Sequence, residues 1–111
     1  MDFKEIEQKV LAFRNERNWE LFHQIKDLLI GLNIEVAELQ ELFLWKSTEQ
    51  QTEIDNQKIK DEVADIAIFL IYICKHYNID LMKAILEKLD KNEIKYPLNL
   101  SKNSNKKYTE L

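Results

Sequence analysis

The chain has 111 residues, of which 45% are hydrophobic and 32% charged, and a formal net charge of −4. That size fits one small domain, the hydrophobic content excludes a disordered chain, and the mild acidity gives no broad basic field for nucleic acid. One glycine and one proline in the whole chain leave little material for hairpin and barrel turns, so the expected fold class is all-α.

Phe3, Ile6, Val10 and Phe13 recur at three- and four-residue steps and predict a first helix from Phe3 to Arg17. A second apolar series begins at Trp19 and continues through Leu21, Ile25, Leu28, Leu32, Val36, Leu39 and Phe43 to Trp45. It predicts one long second helix, with a kink expected near Gly31. Ser47 to Asp55 is polar and rich in capping residues, which makes it the central loop.

The third helix is expected from Asp55 to Tyr77, with Asn78 as its stop. Its second half, Ile66 to Cys74, is an apolar run of nine residues, too short to span a bilayer. A helix without a polar face has to be covered on every side, so a homo-oligomer interface is expected here. The fourth helix starts at Asp80 and ends at Tyr96-Pro97, because proline disfavours helix in the residue before it. Residues 1–97 are therefore expected to form a single four-helix bundle-like domain, and residues 98–111 a polar, solvated tail. Cys74 is the single cysteine, and the sequence from Met1 to Glu5 lacks a secretory pattern, so a cytoplasmic location and no membrane partner are expected.

The chemistry lies in two pairs of acidic residues. Glu35 and Glu38 are three residues apart on the second helix, hence on one face, with Glu41 a further step along; Glu62 and Asp65 repeat the spacing on the third. Such pairs are common on solvated helix faces. These two are flanked by Ile34, Val36, Ala37 and Leu39, and by Val63, Ala64 and Ile66, which is a core-like setting. Four converging carboxylates would make a hard, all-oxygen site suited to magnesium or manganese, and the lack of histidine at the three-residue step disfavours iron and zinc. The competing reading is a non-catalytic helical interaction module with solvated glutamates.

Several segments carry a family resemblance over nearly the whole chain. They are Arg17-Asn18-Trp19, Phe22-His23-Gln24, the stretch from Glu35 to Trp45, Asp61-Glu62-Val63-Ala64-Asp65-Ile66, Lys88-Leu89-Asp90-Lys91-Asn92, Lys95-Tyr96-Pro97 and Lys107-Tyr108-Thr109. Together they resemble the all-α, MazG-like nucleoside triphosphate pyrophosphatases, and within them the dCTP pyrophosphatase group. The resemblance implies an enzyme that splits a nucleoside triphosphate into monophosphate and pyrophosphate, with Glu35, Glu38, Glu62 and Asp65 coordinating magnesium. It also implies that Lys88 and Asn92 contact phosphate and sugar, that Trp19 and Trp45 wall the base, that His23 lines the same pocket, and that the assembly is a dimer or a dimer of dimers. The general base is left open among the four carboxylates and Glu41. Two positions depart from dCTP-selective relatives: Val10 replaces a histidine, and Phe69 replaces a tyrosine in the substrate pocket. Both remove a polar contact, which relaxes the expected selectivity for the base. A dUTPase-like or phosphoribosyl-ATP pyrophosphohydrolase activity on the same scaffold is the alternative within the enzyme class.

Overall fold

The computed structural model describes residues 1–111, and every regular element in it is helical. Helix α1 spans Phe3–Glu16, a 3-10 turn Trp19–Phe22, α2 Ile25–Glu41, α3 Thr48–Gln51, α4 Asn56–Tyr77, α5 Leu81–Lys95 and α6 Leu98–Ser101, with a last 3-10 turn at Tyr108–Glu110. No helix is long and apolar enough to cross a membrane.

Local chemistry sets the boundaries. The carboxylates of Asp2, Asp55 and Asp80 accept hydrogen bonds from the backbone N–H groups of Glu5, Gln57 and Lys83 at 2.9, 3.0 and 3.1 Å, which satisfies donors that a helix start leaves free. Ser47 and Gln50 cap α3 reciprocally, side chain to backbone in both directions. Asn78 ends α4 in the left-handed conformation at φ 55°, which asparagine tolerates better than most residues. The third and fourth helices thus begin and end where the sequence places them.

The expected long second helix is divided. Asn18 enters the left-handed region at φ 58°, the chain tightens into the 3-10 turn, and His23 at ψ 56° leaves helical geometry altogether before α2 begins at Ile25. The break therefore falls at His23-Gln24 and not at Gly31, which lies inside α2. The central loop likewise contains a full turn of helix, α3, that sequence periodicity alone does not reveal.

The chain divides into two compact units, Met1–Asn78 and Ile79–Leu111. In the first, α2 packs along α4, and α1 against α4 and the 3-10 turn. The α2–α4 pair is antiparallel. Glu35 meets Glu62 and Asp65, whereas Gly31, one turn earlier on α2, meets Phe69, about two turns after Glu62 on α4. Glycine inside a helix costs about 1 kcal/mol relative to alanine, so this close approach of Phe69 is what makes Gly31 tolerable here. In the second unit, Pro97 follows the end of α5, and the tail is not featureless: Tyr108 stands edge-on to Tyr96 at 5.9 Å, with the Lys95 ammonium 4.9 Å from its ring centre.

The fully shielded core is small. Leu28, at 2% exposure, Ile71, Tyr72 and Cys74 form it, and Cys74 is a free thiol. We expect Leu28→Ala to destabilise the fold by about 2–5 kcal/mol, because the cavity left behind can relax only in part. Urea denaturation at fixed protein concentration checks this, and a loss below about 1 kcal/mol would remove Leu28 from the centre of the core.

Candidate functional site

The antiparallel α2–α4 pair brings three of the sequence-predicted ligands together: Glu35, Glu62 and Asp65 each offer an oxygen, all within 4.8 Å of one another. The fourth, Glu38, lies near enough to Glu35 and Glu62 to act on the ionisation of both. Partial burial first, then Glu38 beside it, then the charges of Asp65 and Glu62, push the Glu35 carboxyl up to about 7. Burial and Glu38 raise Glu62 in the same sense.

Two observations test whether the residues fit a divalent cation. One oxygen each of Glu35 and Glu62 is inaccessible and has no hydrogen-bond partner, and none of the three ion pairs in the chain involves these carboxylates. Buried acceptors that face one another without donor or cation are costly, and a hard cation with oxygen ligands is the group that would relieve them. The donor set fits magnesium or manganese. It offers no soft or imidazole ligand.

Beside this cluster lies an apolar cavity of about 490 Å³, built within the first unit. Helix α1 contributes Lys9, Val10 and Phe13, the 3-10 turn Trp19, the helix break His23, and α4 Asp65, Ile68, Phe69 and Tyr72. Trp19 stands edge-on to Phe13 at 5.7 Å, and Phe69 edge-on to Tyr72 at 5.9 Å. His23 tilts against Tyr72 at 4.7 Å. Burial, and then the nearby Arg14 guanidinium, hold the imidazole below its ordinary range, and its Nδ1 is buried without a partner. Burial also raises the Tyr72 phenol, with Arg14 opposing, so Tyr72 keeps its proton. The cavity is therefore mostly hydrophobic, with an imidazole, a phenol, an ammonium and the Asp65 carboxylate as its polar groups.

The other expected contacts are distributed differently. Trp45 is 92% exposed and lines a separate groove with Leu44, Lys46, Gln50, Glu53 and Ile54. Within one chain, then, Trp19 and Trp45 do not wall the same cavity: Trp45 lies beyond the end of α2 at Glu41, in a left-handed turn at φ 63°. Lys88 and Asn92 lie on α5 in the second unit, four residues apart and on one face, Lys88 exposed and Asn92 half-buried. Phe13 enters the sequence reading only as part of the first apolar series, and Tyr72 only inside the apolar run Ile66 to Cys74. The signal that marks Tyr72 is its step from Asp65 and Phe69, seven and three residues along one face of α4. Lys9 and Ile68 carry no comparable mark.

A model of the MazG-like family matches residues 30–111. The dCTP pyrophosphatase 1 of Mus musculus is 40% identical over 104 residues, which cover 89% of this chain and 61% of that protein, and its Homo sapiens counterpart is 38% identical over the same extent. The chain thus spans about three-fifths of the length of these curated relatives. The crystal structure of a pyrophosphatase from Archaeoglobus fulgidus is similar with a TM-score of 0.79 and 35% identity, over 85% of this chain and 91% of that one.

The raised carboxyls give the metal-free protein a definite pH dependence. Glu35 is protonated more readily when folded, at about 7, than in an unfolded chain. Its contribution to stability is therefore complete in acid and is lost as pH rises from about 4.5 through 7. We expect the Tm of metal-free protein to fall between about pH 5 and pH 8, Glu35→Gln to flatten that slope, and magnesium to restore the Tm at the upper end. A metal-free Tm that climbs across this interval would contradict the like-charge arrangement.

Proposed function

The chain belongs to the MazG-like family, and on that premise we propose that it is a nucleoside triphosphate pyrophosphohydrolase. The observation that carries this reading is the double membership of Asp65, which belongs both to the carboxylate cluster and to the wall of the apolar cavity. A nucleotide needs that adjacency: a cation site for its phosphates, and an aromatic cavity for its base. The names of the relatives, dCTP pyrophosphatase 1 and a pyrophosphatase, support the same chemistry.

In this reading Glu35, Glu38, Glu62 and Asp65 hold magnesium, with manganese as a substitute. The cation would supply charge neutralisation on the phosphates and a more acidic water. The chain's own residues do the rest. Water attacks the α-phosphorus, the bridging bond to the β-phosphate breaks, and monophosphate and pyrophosphate leave. A carboxylate of the cluster, or Glu41 on the next turn of α2, accepts the proton of the water. Trp19 and Phe13 offer edges and faces on which a base stacks, and His23 and Tyr72 offer neutral polar groups to its rim. Lys88 and Asn92 are the proposed phosphate and sugar contacts. The substrate class is a deoxynucleoside or nucleoside triphosphate, with dCTP and modified analogues first among those to be tried. Val10 and Phe69 line the cavity without a hydrogen-bonding group, which supports a tolerant choice of base.

The chain is further proposed to work as a homo-oligomer, a dimer or a tetramer. Ile30 and Ile34 on α2 are each 53% exposed, and Val63 and Leu70 on α4 are exposed as well, a large apolar area for a soluble protein to leave in water. Trp45 is held in a backbone region that costs a non-glycine residue roughly 1–2 kcal/mol, with its indole almost wholly exposed. A second copy that receives this indole beside its own Trp19 would account for both. The buried free thiol of Cys74 is compatible with a reducing, cytoplasmic setting.

Incubating the protein with magnesium and a panel of nucleotides should release pyrophosphate from at least one of them; none from any would end this reading. Glu38→Ala and Asp65→Ala should each lower kcat by on the order of 100-fold or more while the helical circular dichroism persists. Trp45→Ala should raise KM by an amount matching a lost stacking contact of about 1–3 kcal/mol. Mixing it with a separately inactive Asp65→Ala subunit should recover activity if the indole is supplied by a partner. Failure of the mixture would confine Trp45 to its own chain.

A further inference from the structure

The chain's single glycine stands inside α2, where glycine is a poor helix former. Its conformational freedom is not used there, since the backbone at Gly31 stays helical and has no positive φ. What is used is the missing side chain. The place a Cβ would take is filled by the ring of Phe69, whose Cζ lies 2.7 Å and whose Cδ1 lies 3.2 Å from that point. Carbon atoms in ordinary contact sit about 3.5–4.0 Å apart, so the ring and an added methyl cannot both keep their places.

The neighbours of the ring decide where it would go. One turn from Gly31 on α2 is Glu35, and one turn from Phe69 on α4 is Asp65, so the packed pair sits directly beside the carboxylate cluster. On another side the ring meets Tyr72 edge-on at 5.9 Å, and Tyr72 is itself buried and backed by His23. The open side is the apolar cavity that Phe69 lines. A ring displaced from Gly31 therefore moves into that cavity.

We propose that Gly31 is a positioning residue for substrate selection: it recesses Phe69 against the α2 backbone and so sets the depth of the cavity that receives the nucleotide base. This rests on the pyrophosphohydrolase reading given above. Gly31 touches neither the carboxylate oxygens nor the cavity; it acts through Phe69. The consequence is a preference by size. With glycine the cavity accepts a base carrying extra bulk, and a methyl group at position 31 excludes that bulk first.

The test uses magnesium, the whole chain and a size series of triphosphates, namely dUTP, its 5-methyl counterpart dTTP, and dGTP. Binding is followed by calorimetry and turnover by pyrophosphate release. Gly31→Ala should lower kcat/KM for dTTP and dGTP relative to dUTP by about tenfold or more, mainly through KM, since one methyl group in an apolar pocket discriminates on that scale. The double variant Gly31→Ala with Phe69→Leu should recover the wild-type ranking, which a general loss of helix packing would not do. If Gly31→Ala fails to fold, Phe69→Leu alone decides: it should shift the ranking towards the larger bases. An active wild type with an unchanged ranking in these variants overturns this proposal alone. A wild type that neither binds nor hydrolyses any of the three overturns it together with the reading it rests on.

Discussion

Two helices that run antiparallel and hold like charges against each other set the terms for everything else in the first unit. The α2–α4 contact places Glu35, Glu62 and Asp65 within reach of a common point, with Glu38 close enough to act on Glu35 and Glu62. Burial first, and then the neighbouring carboxyls, raise Glu35 to about 7. The apolar packing further along the same pair, around Leu28, Ile71 and Tyr72, is what holds them there. Stability in one part of the helix pair thus sustains electrostatic strain in the other, a pattern expected where a fold builds a site instead of a core.

The same pair also fixes how the cation site and the cavity relate. Asp65 faces the cluster, and Phe69 and Tyr72, one and two turns later, face the cavity. Because these residues all lie on the one continuous helix α4, the distance between charged and apolar parts is set by helical rise and not by loop conformation. Helix α1 and the 3-10 turn then close the opposite wall with Val10, Phe13 and Trp19. His23 is positioned by the break between turn and helix, the feature that divides the apolar series from Trp19 to Trp45.

The exposed apolar residues of α2 and α4 and the outward Trp45 belong to a different problem. A short chain has little interior, and only four residues here are buried. The surface left uncovered and a tryptophan held in a left-handed turn are both reasonable if further burial comes from another copy.

Much of this was legible in the sequence. Helical class, the starts of the first, third and fourth helices and the Asn78 stop follow from periodicity and capping, which are local properties. The two acidic pairs could be located from spacing and flanking residues, and the likeness to the MazG-like family came from motif segments spread over nearly the whole chain. What the sequence could not decide was which side chains meet. The break at His23 depends on backbone geometry that an uninterrupted apolar rhythm conceals. Phe13 and Tyr72 sit in apolar stretches that do not reveal that α1 and α4 line one cavity with them, and Trp19 and Trp45 read as walls of one pocket, whereas within one chain Trp45 is almost wholly exposed. Gly31 reads as a kink and proves to be a seat for Phe69, because the need for a residue without a side chain arises from a neighbour 38 positions away in the sequence. Periodicity records which face of a helix is apolar; only packing decides what that face touches.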